Sequence, residues 1–456
     1  MNPIQQFLAD ARLQDDVCVQ DVEIDQLHYT IVYAIQFVDI QKFNFEIKPH
    51  ILPSNYQQLT RLFLGLCKPI TDCSVSELEF LLYSGKILVF FEDHQYHYYF
   101  EFTNKPKRSI SESTIDPEDP MSSRDGLVED LDDNITLIKR RLKTNNLQIK
   151  KYQLGLINKN TCAVMYMKSF HDKLSLHSIL ERLSQYKEDI VTSINDIAML
   201  YQDDSLLPQV FNTSSPDIIT NALVKGRIVI FLDNSPVALI IPVTLSIFTN
   251  SKTYINTPKY YAFFNHFFVF IFFAFSIFSM GLFISIINFH RGALSIAFLA
   301  NVQITEKGTN WPMFVEVMIV YLLFEFYRFS TSRSTNNYIQ NIIIILGGLF
   351  IGQNAIESGT IGAIILFLTS ISYIAVFAVT NNTYLITSIN IFRFFILILS
   401  YTMGIFGFLI SSLIVTFYLY KQKNGHSFYL YPFIPFQMED FKSYFIPKKE
   451  LKKVTE

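Results

Sequence analysis

A cytoplasmic α/β region of two small subdomains, followed by an α-helical multi-pass transmembrane domain, is the architecture that the sequence predicts. Three observations carry the prediction. Charge is spread unevenly: Asp, Glu, Lys and Arg are frequent up to about Ser251. From Tyr260 to Tyr420 the charged side chains are Arg291, Glu306, Lys307, Glu316, Glu325, Arg328, Arg333, Glu357 and Arg393. Several apolar runs in that second half approach or exceed the roughly 20 residues that cross a bilayer. In the first half, "LLYSGKILVFFED" (81–93) and "ALVKGRIVIFLDNSPVALIIP" (222–242) share one layout. Each has a helix-like lead, a turn at Gly85 or Gly226, and a β-branched and aromatic strand.

The chain of 456 residues has room for about three units. A formal net charge of −3 argues against a nucleic-acid partner. The start, "MNPIQQFLADARLQDD", has no basic segment followed by an apolar core. No signal peptide is expected, and the soluble half is expected to stay in the cytoplasm. Cys18, Cys67, Cys73 and Cys162 show neither CxxC pairing nor metal-ligand spacing. They are read as free thiols in a reducing compartment.

The soluble half divides at a Ser/Pro/charge-rich stretch, "TNKPKRSISESTIDPEDPMSSRDG" (103–126). This places the first α/β subdomain at 1–103, the linker at 104–125 and the second subdomain at 126–255. Asp233-Asn234-Ser235-Pro236 is a turn between two apolar strands. The shared layout of the two subdomains fits either a duplicated unit or ordinary α/β architecture. No phosphate-binding glycine loop, nucleophile elbow or HExxH is present. The expectation is therefore no enzyme, no cofactor and no metal site. His94 and His97, in "EDHQYHYYF", are read as a solvated pair rather than as metal ligands.

The segment "RDGLVEDLDDNITLIKRRLK" (124–143) is sorted by charge. Leu127, Leu131, Ile135, Ile138 and Leu142 recur at helical spacing. Glu129, Asp130, Asp132 and Asp133 fall near the positive end of that helix, and Lys139, Arg140, Arg141 and Lys143 near its negative end. Each such charge contributes about 0.3–1 kcal/mol. The reading is a well-made surface helix.

The transmembrane domain is placed at 256–420, with crossings at about 261–288, 312–330, 360–380 and 397–419, and the tail at 421–456. "YIQNIIIILGGLFIG" (338–352) is only about 22 Å long as a helix, so 338–353 is read as re-entrant. Lys252 and Lys259 precede the first span; Lys421, Lys423, Lys448, Lys449, Lys452 and Lys453 follow the last. Both termini are then cytoplasmic and the number of crossings even. That scheme puts the Asn-Asn-Thr turn (381–383) outside and makes the stretch holding Arg393 an in-plane or bundle-buried lead. Charges at membrane depth cost about 2.5–3.5 kcal/mol each. Glu325 and Arg328, three residues apart, can pair on one helix face. Glu316 lies nine residues before Glu325, on the opposite face. Together with Gln353, Asn354 and Glu357 it is a candidate for a polar path or pore-adjacent site.

Several blocks, in one order along the chain, resemble the A subunits of GerA-type spore germinant receptors. The segment 124–143 is similar to the family's Arg-Glu-Gly-Phe start, acids, Asn and Leu-Ile-Arg-Arg-Arg run. The similarity continues through "SPDIITNALVKGRIVIFLDNSPVALIIPVTL" (215–245), "KGTNWPMFVE" (307–316), "FEFYR" (324–328), "GGLFIGQNAIESG" (347–359) and "SFYLYPFIPF" (427–436). Departures are Ser215 where the family carries Arg, and "SRSTNN" (332–337) where it carries Arg-Leu-Pro. The resemblance implies a multi-pass protein of the bacterial cell or spore inner membrane. It implies a homo-oligomeric ring, a pentamer in the family, whose helices form a nutrient-gated ion channel, with a transporter-like B subunit and a lipoprotein C subunit. Arg124, Glu129, Asn134, Arg140 and Arg141 become candidate subunit-contact residues. The rival expectation is a non-conducting membrane scaffold or anchor.

Overall fold

The structure is a computed structural model. It describes residues 3–24, 27–46, 67–71, 73–91, 97–102, 125–169, 173–203, 205–249, 259–296, 311–333, 356–357, 360–425 and 427–431. It forms two compact units: Met1–Ser205 with Gln209–Val243, and Leu206–Pro208 with Thr244–Glu456.

The first unit uses one chain topology twice. Its first lobe runs α1 (Pro3–Ala11), β1 (Val17–Ile24), β2 (Leu27–Ala34), α2 (Ile40–Glu46), β3 (Cys67–Pro69), α3 (Val75–Leu82), β4 (Lys86–Phe91) and β5 (Tyr98–Glu101). Its second lobe runs α4 (Leu131–Arg141), β6 (Leu147–Leu154), β7 (Asn160–Met167), α5 (Lys173–Ser184), α6 (Ile194–Tyr201), β8 (Phe211–Thr213), α7 (Pro216–Val224), β9 (Ile228–Leu232) and β10 (Ala238–Ile241). The sheet orders are β1-β2-β4-β5-β3 and β6-β7-β9-β10-β8. Every neighbouring pair is antiparallel. In each lobe a hairpin comes first, a short edge strand second, and a helix then feeds the central hairpin. That helix ends at a left-handed glycine, Gly85 at φ 80° and Gly226 at φ 81°, a conformation that a Cβ disfavours. The layout shared by 81–93 and 222–242 is thus part of a whole repeated topology.

The central strands carry the cores. All five residues of β9, Ile-Val-Ile-Phe-Leu, are buried, as are five of six in β4. Strands covered on both faces read as continuous apolar runs, which is how both segments read in the sequence. The second sheet closes at Ile241 and its unit at Val243, short of the expected boundary at 255. The linker 104–125 lies outside the described residues but for Asp125.

The second unit carries α8 (Leu245–Thr249), α9 (Lys259–Phe289), α10 (Met313–Arg333), α11 (Ala363–Val379) and α12 (Thr383–Lys421). A small ribbon follows, with strands at Lys423–Asn424 and Ser427–Phe428. Among the described residues two helices are long and apolar enough to cross a membrane, Phe263–Phe289 and Thr383–Lys421; Ala363–Val379 is apolar but shorter. Six phenylalanines in the first half of α9, Phe263, Phe264, Phe267, Phe268, Phe270 and Phe272, are exposed, while Phe273 is buried.

Helix α12 is not one rod. At Gly404 its backbone takes φ 63°, ψ −139°. The Phe392 and Tyr418 rings, about 39 Å apart along a straight helix, have centroids 5.6 Å apart. A Cβ at Gly407 would lie 2.0 Å from the Leu399 carbonyl oxygen. The chain therefore doubles back at Gly404 into two antiparallel legs, 383–403 and 405–421, of about 31 and 25 Å. This corrects the expected single crossing at 397–419. The physical reason is the backbone freedom of a glycine inside an apolar run that length alone had divided elsewhere.

Contacts fix the helix directions. Ser276 meets Arg393, Gly281 faces Ile396 and Ser400, and Phe289 packs on Gly404. The first leg of α12 therefore runs parallel to α9. Glu316 meets Gly362 and Glu325 meets Tyr373, so α10 and α11 are parallel too. One expectation changes. The Asn-Asn-Thr turn lies at the end of the unit where α9 begins, not at the opposite end; Asn382 caps α12 there, accepting from Tyr384 and Leu385 N–H at 3.1 Å. The end of α10 and the start of α11 lie at opposite ends of the helical unit. The segment 338–353 itself lies outside the described residues.

Candidate functional site

A cluster of polar side chains closes the interior of the helical unit, and all four long helices contribute to it. Glu325 of α10 is paired with Arg328 one turn on, Nη2 to Oε2 at 2.7 Å and Nε to Oε2 at 3.0 Å. The other oxygen, Oε1, accepts from the Tyr373 hydroxyl of α11 at 3.1 Å and from the Asn390 amide of α12. Four donor contacts fill the acceptor positions of this carboxylate.

Asn390 hands the connection on. Its Oδ1 accepts from Arg393 Nη1 at 2.9 Å. Arg393 is 1 % exposed and, among the described residues, has no carboxylate in direct contact. Instead Nε donates to the Ser276 carbonyl of α9 at 2.8 Å, and Nη2 to the Ser372 carbonyl of α11 at 3.0 Å. The guanidinium also lies over the Tyr321 and Tyr373 rings, 4.8 and 5.7 Å from their centroids. Aromatic faces and carbonyl oxygens replace the water a buried cation loses.

Glu316 stands apart from this cluster. It is 1 % exposed, and its Oε2 accepts the Gly362 N–H at 2.8 Å. Gly362 is the residue that caps α11, so a carboxylate on one helix closes the positive end of the next. Glu357 is exposed; Gln353 and Asn354 lie outside the described residues. Sequence spacing singled out Glu325 and Arg328 but missed Asn390, placed Arg393 only loosely, and did not see Tyr373. A buried charge among apolar residues was the available signal for Arg393.

The charge-sorted segment of the first unit becomes α4, with Asp130 as its N-cap accepting from Asp133 N–H at 2.9 Å. Asn134 is fully buried and staples its own lead-in: Oδ1 accepts from Val128 N–H and Nδ2 donates to Val128 O, at 2.8 and 2.6 Å. Arg141 reaches Asp125 at 2.9 Å and Asp217 at 3.2 Å. Arg140 lies over the Phe37 ring of the first lobe. Glu129 is exposed, and its carbonyl accepts from Asn234 N–H. Arg124 lies outside the described residues.

The helix is also less of a surface element than its charges suggest. Lys139 is fully buried and paired with Asp16 of the first lobe, which is 1 % exposed. Its ammonium lies 4.5 Å from the Tyr83 ring centroid and 3.2 Å from Gln14 Oε1. Tyr83 Oη donates to Gln14 and Asn145 at 2.7 and 2.8 Å. Burial lowers the Lys139 pKa against the opposing pull of Asp16. Burial raises the Tyr83 pKa, helped by the charges of Asp16 and Glu79. So α4 clamps the two lobes of one chain together.

Among the described residues no group of three or more His, Cys, Asp or Glu is placed to hold a metal. His97, half of the sequence pair, packs on Phe90, and burial lowers its pKa.

Comparison with known proteins follows the same chain from end to end. Spore germination protein XA of Bacillus anthracis is 28% identical over 415 residues, 89% of this chain and 84% of that protein. Uncharacterized membrane protein YfkQ of Bacillus subtilis is 26% identical over 393 residues, 84% of this chain and 74% of that protein. A crystal structure of the N-terminal domain of the A subunit of the Bacillus megaterium spore germinant receptor GerK3 aligns with 52% of this chain and 92% of its own, at 19% identity and a TM-score of 0.37. The family described as Bacillus/Clostridium GerA spore germination protein matches residues 3–455, and the chain belongs to that family.

Proposed function

We propose that this chain is the A subunit of a spore germinant receptor, embedded in the membrane through its helical unit. The family match over both units carries the reading. The long apolar helices with outward phenylalanines support a lipid environment. In this reading both chain ends are cytoplasmic: Lys252 precedes α9, Lys259 opens it, and the hairpin at Gly404 returns α12 to the end where α9 starts. The subunit assembles as a homo-oligomeric ring with a transporter-like B subunit and a lipoprotein C subunit, and nutrient binding leads to ion release. The two-lobed α/β unit serves assembly and gating.

A non-conducting scaffold is the second reading. It draws on the helical interior, where Glu316, Glu325 and Arg393 are each engaged with neighbouring helices. One experiment separates the two. Spores lacking this chain should lose monovalent-cation release in response to at least one class of nutrient. The chain purified with its partners should then support nutrient-dependent cation flux in liposomes. Unchanged release from deletion spores removes the germination reading; loss of release without flux in liposomes leaves the scaffold.

A further inference from the structure

The buried guanidinium of Arg393 holds its neighbours in an unusual way. It grips α9 and α11 through main-chain carbonyls, those of Ser276 and Ser372, rather than through their side chains. Those carbonyls already belong to helical turns, so Arg393 reads the position of the helix backbone itself. Its third anchor, Asn390, sits one turn back on its own helix and is in contact with Glu325 of α10. The ring of Tyr321, from α10, covers the guanidinium, and the Tyr321 hydroxyl reaches Ser372 Oγ at 3.3 Å. Ser372 Oγ in turn lies 3.4 Å from the Ser276 carbonyl.

We propose that Arg393 is the positioning residue that sets the register of α9 and α11 against the first leg of α12, and that Glu325 is coupled to that register through Asn390. The argument rests on geometry and charge. A guanidinium presents donors in several directions of one plane, which lets it bridge two carbonyls and an amide at once. A lysine ammonium is a flexible point charge and cannot hold all three. The cluster contains Arg328 and Arg393 against one carboxylate, Glu325. With a second cation already paired to it, any loss of the Glu325 charge leaves two positive groups facing one another across Asn390 and Tyr373. The helices on either side then lose the alignment that Arg393 imposes. The proposal does not depend on the germination reading.

Pulsed electron spin resonance on the full-length chain in lipid nanodiscs tests it. Spin labels at positions 268 of α9 and 374 of α11, both outward and exposed, are introduced after replacement of the four native cysteines. R393K is expected to lose the native distance peak and give a broader distribution, although it keeps the charge. E325Q and N390A are expected to shift the same peak. A native peak in R393K overturns the positioning role, because a point charge then suffices. A native peak in both E325Q and N390A overturns the coupling. If R393Q or R393K fails to accumulate, E325Q and N390A carry the test. A variant that loses thermal stability while keeping the native peak counts against the proposal, since a merely structural contribution predicts that result.

Discussion

Replacing Asp16 by Asn would leave the Lys139 amine buried between the two lobes without the Asp16 counter-charge. Its remaining contacts are Gln14 Oε1 at 3.2 Å and the Tyr83 ring at 4.5 Å. Removing one partner of a buried pair costs about 3–5 kcal/mol. The Asn oxygen can still accept one hydrogen bond, which favours about 3 kcal/mol, at the lower end of that range. For a unit of this size each kcal/mol moves the melting midpoint by about 2–4 °C, so the shift should be about 6–12 °C. Replacing both residues, Asp16→Leu with Lys139→Met, removes the uncompensated charge. It leaves Tyr83 bonded to Gln14 and Asn145. The double variant should recover to within about 2 kcal/mol of the native chain, as buried pairs exchanged for apolar ones often do. The assay is thermal unfolding of the purified full chain, read by protease cleavage within residues 125–249. A single variant within about 2 °C of native, or a double variant as unstable as the single one, would refute the reasoning.

Three further outcomes can be checked. Glu325→Gln should lower accumulation in the membrane more than Arg328→Gln, because it weakens the contacts of Arg328, Tyr373 and Asn390 together, whereas Arg328→Gln leaves those of Tyr373 and Asn390 with the carboxylate in place; equal losses in quantitative immunoblots would contradict this. Gly281→Ala places a Cβ 2.5 Å from Ile396 Cγ2 and 3.0 Å from Ser400 Oγ. Overpacking of this kind costs about 1–3 kcal/mol, and Ile396→Leu, which removes that methyl, should restore part of the lost melting midpoint. Asp196 accepts from Ser193 and Thr192 N–H at 3.0 and 2.9 Å, and these bonds, Ser193 first, hold its pKa below 3.8. Its folded value lies under its unfolded one, so the stabilisation is complete above that ordinary value and is lost as pH falls through the folded value. Asp196→Asn should flatten the acid-induced fall in midpoint below about pH 4; an unchanged slope would show that other carboxylates dominate.

How much of this was legible in the residues depended on distance along the chain. The lobes of the first unit followed from local patterns, because β4 and β9 advertise themselves as apolar runs after a glycine turn. Their matching strand order was not legible, since β3 and β8 contribute three residues each and their pairing is a long-range fact. The Glu325–Arg328 pair was visible at i, i+3. Arg393 was visible only as an expensive charge, because its partners lie 117 and 21 residues away and are main-chain atoms with no signature in sequence. Lys139 looked like an end charge on a solvated helix for the same reason: Asp16 is 123 residues distant. The fold-back of α12 had a local signal, Gly404 and Gly407 in "YTMGIFGFL", that run length alone overrode.

The reversal at Gly404 bears on how such a chain enters a membrane. Connections between crossings normally carry polar residues that must be dragged through the bilayer or kept back. Here the turn reads Met403-Gly404-Ile405-Phe406, with no side chain that requires water. A Cβ at Gly404 would come within 2.8 Å of Phe289, so the bend is packed against protein. The two legs can therefore be delivered as one wedge from the side where they start, with nothing hydrophilic transferred to the other. The tip need not surface at all, because the buried backbone of the bend finds its shelter in α9 rather than in solvent. A larger residue at 404 would do more than strain one dihedral. In the membrane reading proposed above, it would turn a returning element into a through-going one.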